Sequence, residues 1–177
     1  MKKKFKRLDD PLLPFMSNQQ EVTPLLPART LAFPADRSMG ELFIRNSFQP
    51  EEYAFWEKVG RAQGMIELAE GKELRLNVTP QASTDLSPFA TFHPDAIQYL
   101  QLSGTRVANA GLEHLKHLTG LRVLWLYDTR ISDAGLPLLQ GLTGLRVLNL
   151  RSTLVSKGGI NELQKVLTAC EIRQPWA

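Results

Sequence analysis

Apolar positions in the second half of the chain recur at a fixed distance. Three segments align without a gap at a period of 24: IQYLQLSGTRVANAGLEHLKHLTG from Ile97 to Gly120, LRVLWLYDTRISDAGLPLLQGLTG from Leu121 to Gly144, and LRVLNLRSTLVSKGGINELQKVLT from Leu145 to Thr168. Leu100, Leu124 and Leu148 share one column, and Leu102, Leu126 and Leu150 another. Thr105, Thr129 and Thr153 form a third, followed by Val107, Ile131 and Val155. Gly111, Gly135 and Gly159 precede Leu112, Leu136 and Ile160, with Leu115, Leu139 and Leu163 three residues further on. The first half of each unit alternates, which predicts a short strand with one buried face. The second half spaces apolar residues by three, which predicts a helical face. Each unit should bury its apolar side only against its neighbours.

The L-x-x-L-x-L-x-x-T-x-[IV] pattern with a following [ST]-D-x-G-L resembles the leucine-rich-repeat superfamily, and in particular bacterial proteins with 24-residue repeats of the cysteine-containing and ribonuclease-inhibitor-like classes. The resemblance spans about residues 73–174. It implies an α/β fold: a short leucine-rich-repeat solenoid with a concave parallel sheet and convex helices. Its implication for function is protein binding. Asn109 and Lys157 stand where Asp133 gives the usual residue, and Pro137 falls inside the second expected helix. The threonine column reads as structural, a hydroxyl serving backbone groups where each strand turns.

Four regions follow from these patterns. Residues 1–38 carry Pro11, Pro14, Pro24, Pro27 and Pro34 without periodicity, and read as an extended, basic tail. Residues 39–96 read as an N-terminal cap. In it, Glu73–Thr79 forms a degenerate first strand, and a β-hairpin of about 64–69 with 73–79 turns at Glu70-Gly71. Glu41–Arg45 adds a third strand, and Glu51–Gly60 forms a short helix presenting Phe55, Trp56 and Val59. Residues 97–168 are the three repeats. Residues 169–177 are a C-terminal cap, with Ile172 in the next strand position and Cys170 packed beside it. No F-box match is found.

Charge divides the chain unevenly. Residues 1–50 hold eight basic and five acidic side chains, whereas residues 51–177 hold thirteen of each. A neutral body excludes a nucleic-acid-binding domain with a basic face. No apolar run approaches the roughly 20 residues of a membrane-spanning helix. The basic start is not followed by the apolar stretch of a signal peptide. With Cys170 as its single cysteine, the chain has neither an internal disulfide nor a cysteine metal cage, so a cytoplasmic location is expected.

Candidate chemistry is sparse. There is no phosphate-binding glycine loop, nucleophile elbow or His-Glu-x-x-His motif. His114 and His117 share a helical face beside Glu113, but exposed pairs of this kind are usually solvated. The sequon Asn77-Val78-Thr79 falls in an expected strand. No catalytic residue, metal or cofactor is expected. The expected function is a non-enzymatic protein-interaction module or an accessory subunit of a larger complex. Its contacts are read as Tyr99, Gln101, Arg122, Trp125, Tyr127, Arg146, Asn149 and Arg151 on the concave face, because large aromatics beside arginine typify interface hot spots. Lys2, Lys3, Lys4, Phe5, Lys6 and Arg7 would supply a second, tail contact. The alternative is a peripheral membrane factor anchored by that basic segment, whose single cluster gives only weak attachment.

Overall fold

The computed structural model describes residues 25–47 and 55–174. Nine strands are present among the described residues, in chain order: β1 (Arg29–Ala32), β2 (Gly40–Asn46), β3 (Glu57–Arg61), β4 (Met65–Leu68), β5 (Lys72–Val78), β6 (Tyr99–Gln101), β7 (Val123–Trp125), β8 (Val147–Asn149) and β9 (Glu171–Arg173). Seven of them form one sheet in the order β3-β2-β5-β6-β7-β8-β9, and β1 pairs with β4 in a separate ribbon. The sheet is mixed. β2 runs antiparallel to both β3 and β5, whereas β5 through β9 are parallel neighbours.

The 24-residue period is the register of the parallel strands. Leu76, Leu100, Leu124, Leu148 and Ile172 are successive cross-strand partners, and every one is buried. Behind them lie Leu102, Leu126 and Leu150, then the apolar side chains of the return segments, in one core that also takes in Phe89 and Phe92. The threonine column works as its chemistry suggests. The Thr105, Thr129 and Thr153 hydroxyls donate to the carbonyl oxygens of Leu102, Leu126 and Leu150 at 2.5, 2.7 and 2.6 Å.

The glycine column has a cause that the sequence did not suggest. A Cβ on Gly135 would meet Asn109 Oδ1 at 2.5 Å, and one on Gly159 would meet Asp133 Oδ1 at 2.3 Å. Those side chains are fixed from the next turn. Asn109 Oδ1 accepts the Ser132 N–H at 3.0 Å, and the two Asp133 oxygens accept the Ser156 N–H and hydroxyl at 2.8 and 2.6 Å. Asparagine therefore fills the aspartate position without loss of the main-chain contact.

The expected architecture, a leucine-rich-repeat solenoid with a purely parallel concave sheet and convex helices, is not the one found. The fold is mixed α/β, built on a seven-stranded mixed sheet with few helices. Regular α-helix among the described residues is limited to the single turn α1 (Asn109–Leu112) and to α2 (Lys157–Val166). The segment between them, Asp133–Leu139, is 3-10 helix and contains Pro137, which has no N–H for an α-helical bond. Only α2 has a side-chain cap, with Ser156 Oγ accepting from the Gly159 N–H at 3.1 Å. Three-residue spacing buries Leu112, Leu115 and Leu118 as well in tight turns as in a helix.

Three expectations about the N-terminal region also change. The hairpin of 64–69 with 73–79 does not form, because both edges of β5 are occupied by β2 and β6, and β4 pairs with β1 instead. Where the short helix was expected, Glu57–Arg61 is strand, since the edge of β2 offers ladder partners that override local preference. Residues 29–34, read as tail, put Leu31 and Phe33 in the core. Arg29 ties them down, donating to the carbonyls of Ala96 and Lys72 and to Gln98 Oε1.

Candidate functional site

One face of the large sheet packs on the core, and the other lies open. Register places two rows of side chains across the open face. Arg75, Tyr99, Val123, Val147 and Glu171 are successive partners in one row, and Asn77, Gln101, Trp125, Asn149 and Arg173 in the other. Alternation along each strand sends both rows away from the leucines.

At the β2–β5 end of this face sits a charged cluster whose carboxylate is sealed from water. Glu73 is 0% exposed. Its carboxylate accepts from Arg45 Nε at 2.6 Å and pairs with the Arg122 guanidinium through its other oxygen. Arg45 is itself buried, with its guanidinium 4.7 Å from the Trp56 ring centre and 4.6 Å from that of Tyr99, and it donates to the Tyr99 hydroxyl. Trp56 and Tyr99 meet edge to face, with ring centres 4.7 Å apart. A buried carboxylate costs several kcal/mol in lost hydration, and here it meets two guanidinium groups whose fork geometry suits it. Cation–π contact shields the opposite side of Arg45.

Beside the cluster runs a groove of about 270 Å³, lined by Arg45, Trp56, Arg75, Tyr99, Val123, Trp125, Val147 and Arg173. Its lining has three arginines, three aromatic rings and no carboxylate. Arg45 is neutralised from beneath by Glu73, and Arg173 Nε donates to Glu171 at 2.9 Å. Arg75 differs. It lies over the Phe43 and Trp125 rings at 5.5 and 5.6 Å and donates to Asn77 Oδ1, but no carboxylate pairs with it among the described residues. Burial alone holds its guanidinium below the usual arginine pKa. The Trp125 indole N–H is buried without an acceptor among the described residues. The floor of the groove thus holds an uncompensated cation and an unmet donor.

The residues read from sequence as contacts divide on this face. Tyr99, Trp125 and Arg122 belong to the groove or its foundation, although Trp125 is half-buried and Arg122 is held by Glu73. Tyr127 is 46% exposed, and Arg146 and Arg151 project into solvent. Gln101 and Asn149 are engaged locally, accepting from the backbone N–H of Ser103 and Arg151 two residues on. Lys2, Lys3, Lys4, Phe5, Lys6 and Arg7 lie outside the described residues. Sequence reasoning missed Arg45, Trp56, Glu73, Arg75 and Arg173. Arg75 and Arg173 could have been found by stepping 24 from Tyr99 and from Asn149. Arg45 and Trp56 could not, because antiparallel pairing obeys no period.

The remaining candidates for chemistry are engaged elsewhere. His117 Nε2 lies 3.0 Å from the Phe92 carbonyl oxygen. Burial pushes the Cys170 thiol up to about 11, the Glu171 carboxylate adds to the rise, and a backbone hydrogen bond involving Leu148 offsets part of it. Such a thiol carries little thiolate at neutral pH. Among the described residues, no group of three or more His, Cys, Asp or Glu side chains is placed to hold a metal ion. Nor is any described helix long and apolar enough to cross a membrane. Compared with known protein families and with curated proteins, the chain matches none.

Proposed function

We propose that this protein is a non-enzymatic, cytoplasmic interaction module or accessory subunit that takes a protein partner on the open face of its sheet. The observation that carries this reading is the arginine- and aromatic-lined groove over the sealed Glu73 cluster. Arginine and tryptophan dominate the energetics of protein interfaces, most of all where neighbouring contacts exclude water. The buried ion pairs hold Tyr99 and Trp56 in fixed positions, so these rings lose little freedom when a partner arrives. The two groups with the most unusual settings, Glu73 and Cys170, support a binding role over a catalytic one. Glu73 is fully enclosed and twice paired, and the Cys170 thiol is raised far above neutral pH.

Affinity capture from the native host, followed by mass spectrometry, tests the reading when three proteins are compared. Wild-type protein and Lys116→Ala, changed on the far side of the molecule, should retain the same partner. Trp125→Ala, verified as folded by circular dichroism, should lose it. Retention of the same partner by folded Trp125→Ala would remove the open face as the interface.

A further inference from the structure

We infer that the groove recognises an extended, acidic peptide segment of the partner, laid across the strands from β5 to β9 with carboxylates at both ends and apolar side chains between. This rests on the reading of the open face as a binding surface and adds the chemistry of what binds there.

Three observations point to that chemistry. The groove lining is cationic and without a carboxylate, in a body whose residues 51–177 balance thirteen basic against thirteen acidic side chains. Arg45 is offset by Glu73 and Arg173 is paired with Glu171, so Arg75 is the cation that this lining leaves uncompensated among the described residues, and an acidic group on the partner complements it. Next, Arg75 is a half-buried guanidinium that donates to the Asn77 amide oxygen and lies against two rings, with no carboxylate paired to it among the described residues. A guanidinium desolvated to this extent gains most from a carboxylate, which it can meet with two parallel hydrogen bonds. Finally, the ground between the two ends is apolar. Tyr99, Val123 and Val147 follow Arg75 in register, and at the last strand the row ends in Glu171, which engages Arg173 Nε and leaves the terminal nitrogens of that guanidinium for a carboxylate.

The spacing specifies the occupant further. Four strand steps of about 4.8 Å separate β5 from β9, or about 19 Å. An extended chain covers that distance in about six residues. The matching segment has acidic residues about five positions apart, separated by side chains that pack on tyrosine and valine. A nucleic acid strand meets this geometry less well, since its charge repeats at every nucleotide and would face the valine strip unpaired.

The probe is a fluorescein-labelled octapeptide with glutamates about five positions apart and leucine and valine between them, measured by fluorescence anisotropy on the full chain. Saturable binding is expected, weakening with added salt. Arg75→Gln should lower the affinity about tenfold, the loss of one charged hydrogen-bonding partner. Arg173→Gln, at a half-buried position on the last strand and checked for folding by circular dichroism, should lower it about threefold. Lys116→Gln should leave it unchanged, and the peptide with glutamine for glutamate should not bind. Equal affinity in wild type, Arg75→Gln and Arg173→Gln would overturn the proposal, as would no saturable binding or displacement of the peptide by oligouridylate. If the peptide fails while Trp125→Ala still loses the native partner, acid recognition is wrong and the binding face stands. If both fail, the face itself is wrong.

Discussion

The two sides of β5 hold themselves together by different physics. On the parallel side, one leucine ladder at a 24-residue step does nearly everything, and each strand needs only three residues. On the antiparallel side, β2 and β5 are seven residues long, and the contact between them adds the buried Arg45–Glu73 pair to apolar packing. Repetition lets short elements share one solution. Where the repeat stops, the chain uses longer strands, a separate ribbon and desolvated charge to close the end of the core.

The sharpest way to break this comparison is to remove the irregular side's attachment. Deleting residues 1–38 takes away β1 with Leu31 and Phe33, whose burial is worth about 1.5–3 kcal/mol each. Thermal melts should show a loss of about 3–6 kcal/mol. An unchanged melting temperature would mean that the β1–β4 ribbon is dispensable.

Next in size is Glu73→Ala, which should cost about 3–5 kcal/mol by leaving Arg45 buried and unpaired. The double variant Arg45→Met with Glu73→Leu should recover most of that loss, because a packed apolar pair pays no desolvation. Denaturant unfolding of all three proteins separates the outcomes. A double variant as unstable as the single one would show that the Trp56–Arg45–Tyr99 stack is what matters.

On the regular side, Leu126→Ala should cost about 2–5 kcal/mol, as expected for a fully buried leucine. Gln101→Ala on the open face should cost far less. Similar small effects in the two would put the strands' faces in doubt.

This contrast also explains how far the sequence could be read. The strand register at Leu100, Leu124 and Leu148 was legible because a period of 24 is itself the spatial relation between neighbours. The same period overreached when it assigned helices to the return segments. Leu112, Leu115 and Leu118 need only a three-residue spacing to reach the core, and 3-10 turns supply that too. Arg45 and Trp56 were illegible because they reach Tyr99 across 54 and 43 positions with no repeat to announce it. The end of the tail was misjudged because five prolines hid a short stretch, Arg29–Ala32, that pairs.

Smaller effects sharpen the regular side. Ser152 has φ of 55°, a left-handed conformation that glycine takes without strain, and Gly104 occupies the same place two units earlier. Ser152→Gly should therefore be neutral to stabilising, by up to about 1 kcal/mol in thermal melts. A destabilised variant would show that the serine side chain has a role of its own.

The smallest effect concerns pH. Hydrogen bonds from the Ser156 hydroxyl and backbone N–H, partly opposed by desolvation, hold Asp133 below its ordinary value of 3.8. A depressed carboxylate stabilises the fold above that value and loses its contribution as pH falls through the lower, folded one. Asp133→Asn, which keeps an oxygen for the Ser156 N–H, should flatten the stability profile below about pH 4. The slope should not vanish, because Ser87 and Arg37 depress Asp85 in the same direction. A profile identical to wild type would mean that Asp133 titrates alike in both states.

The Glu73 carboxylate reaches to either side of its own strand, with one oxygen toward Arg45 on β2 and the other toward Arg122 at the entrance to β7. Arg45 cannot swing away without leaving a buried charge short of a partner, and loss of Arg122 removes half of the carboxylate's compensation. Opening fluctuations that would otherwise begin separately at β2 and at β7 are thereby tied to a single event. In native-state hydrogen exchange, the amides of Leu42, Leu76 and Leu124 should share one opening free energy and behave as one cooperative block. The open face of the sheet, mounted on such a block, moves as a rigid plate.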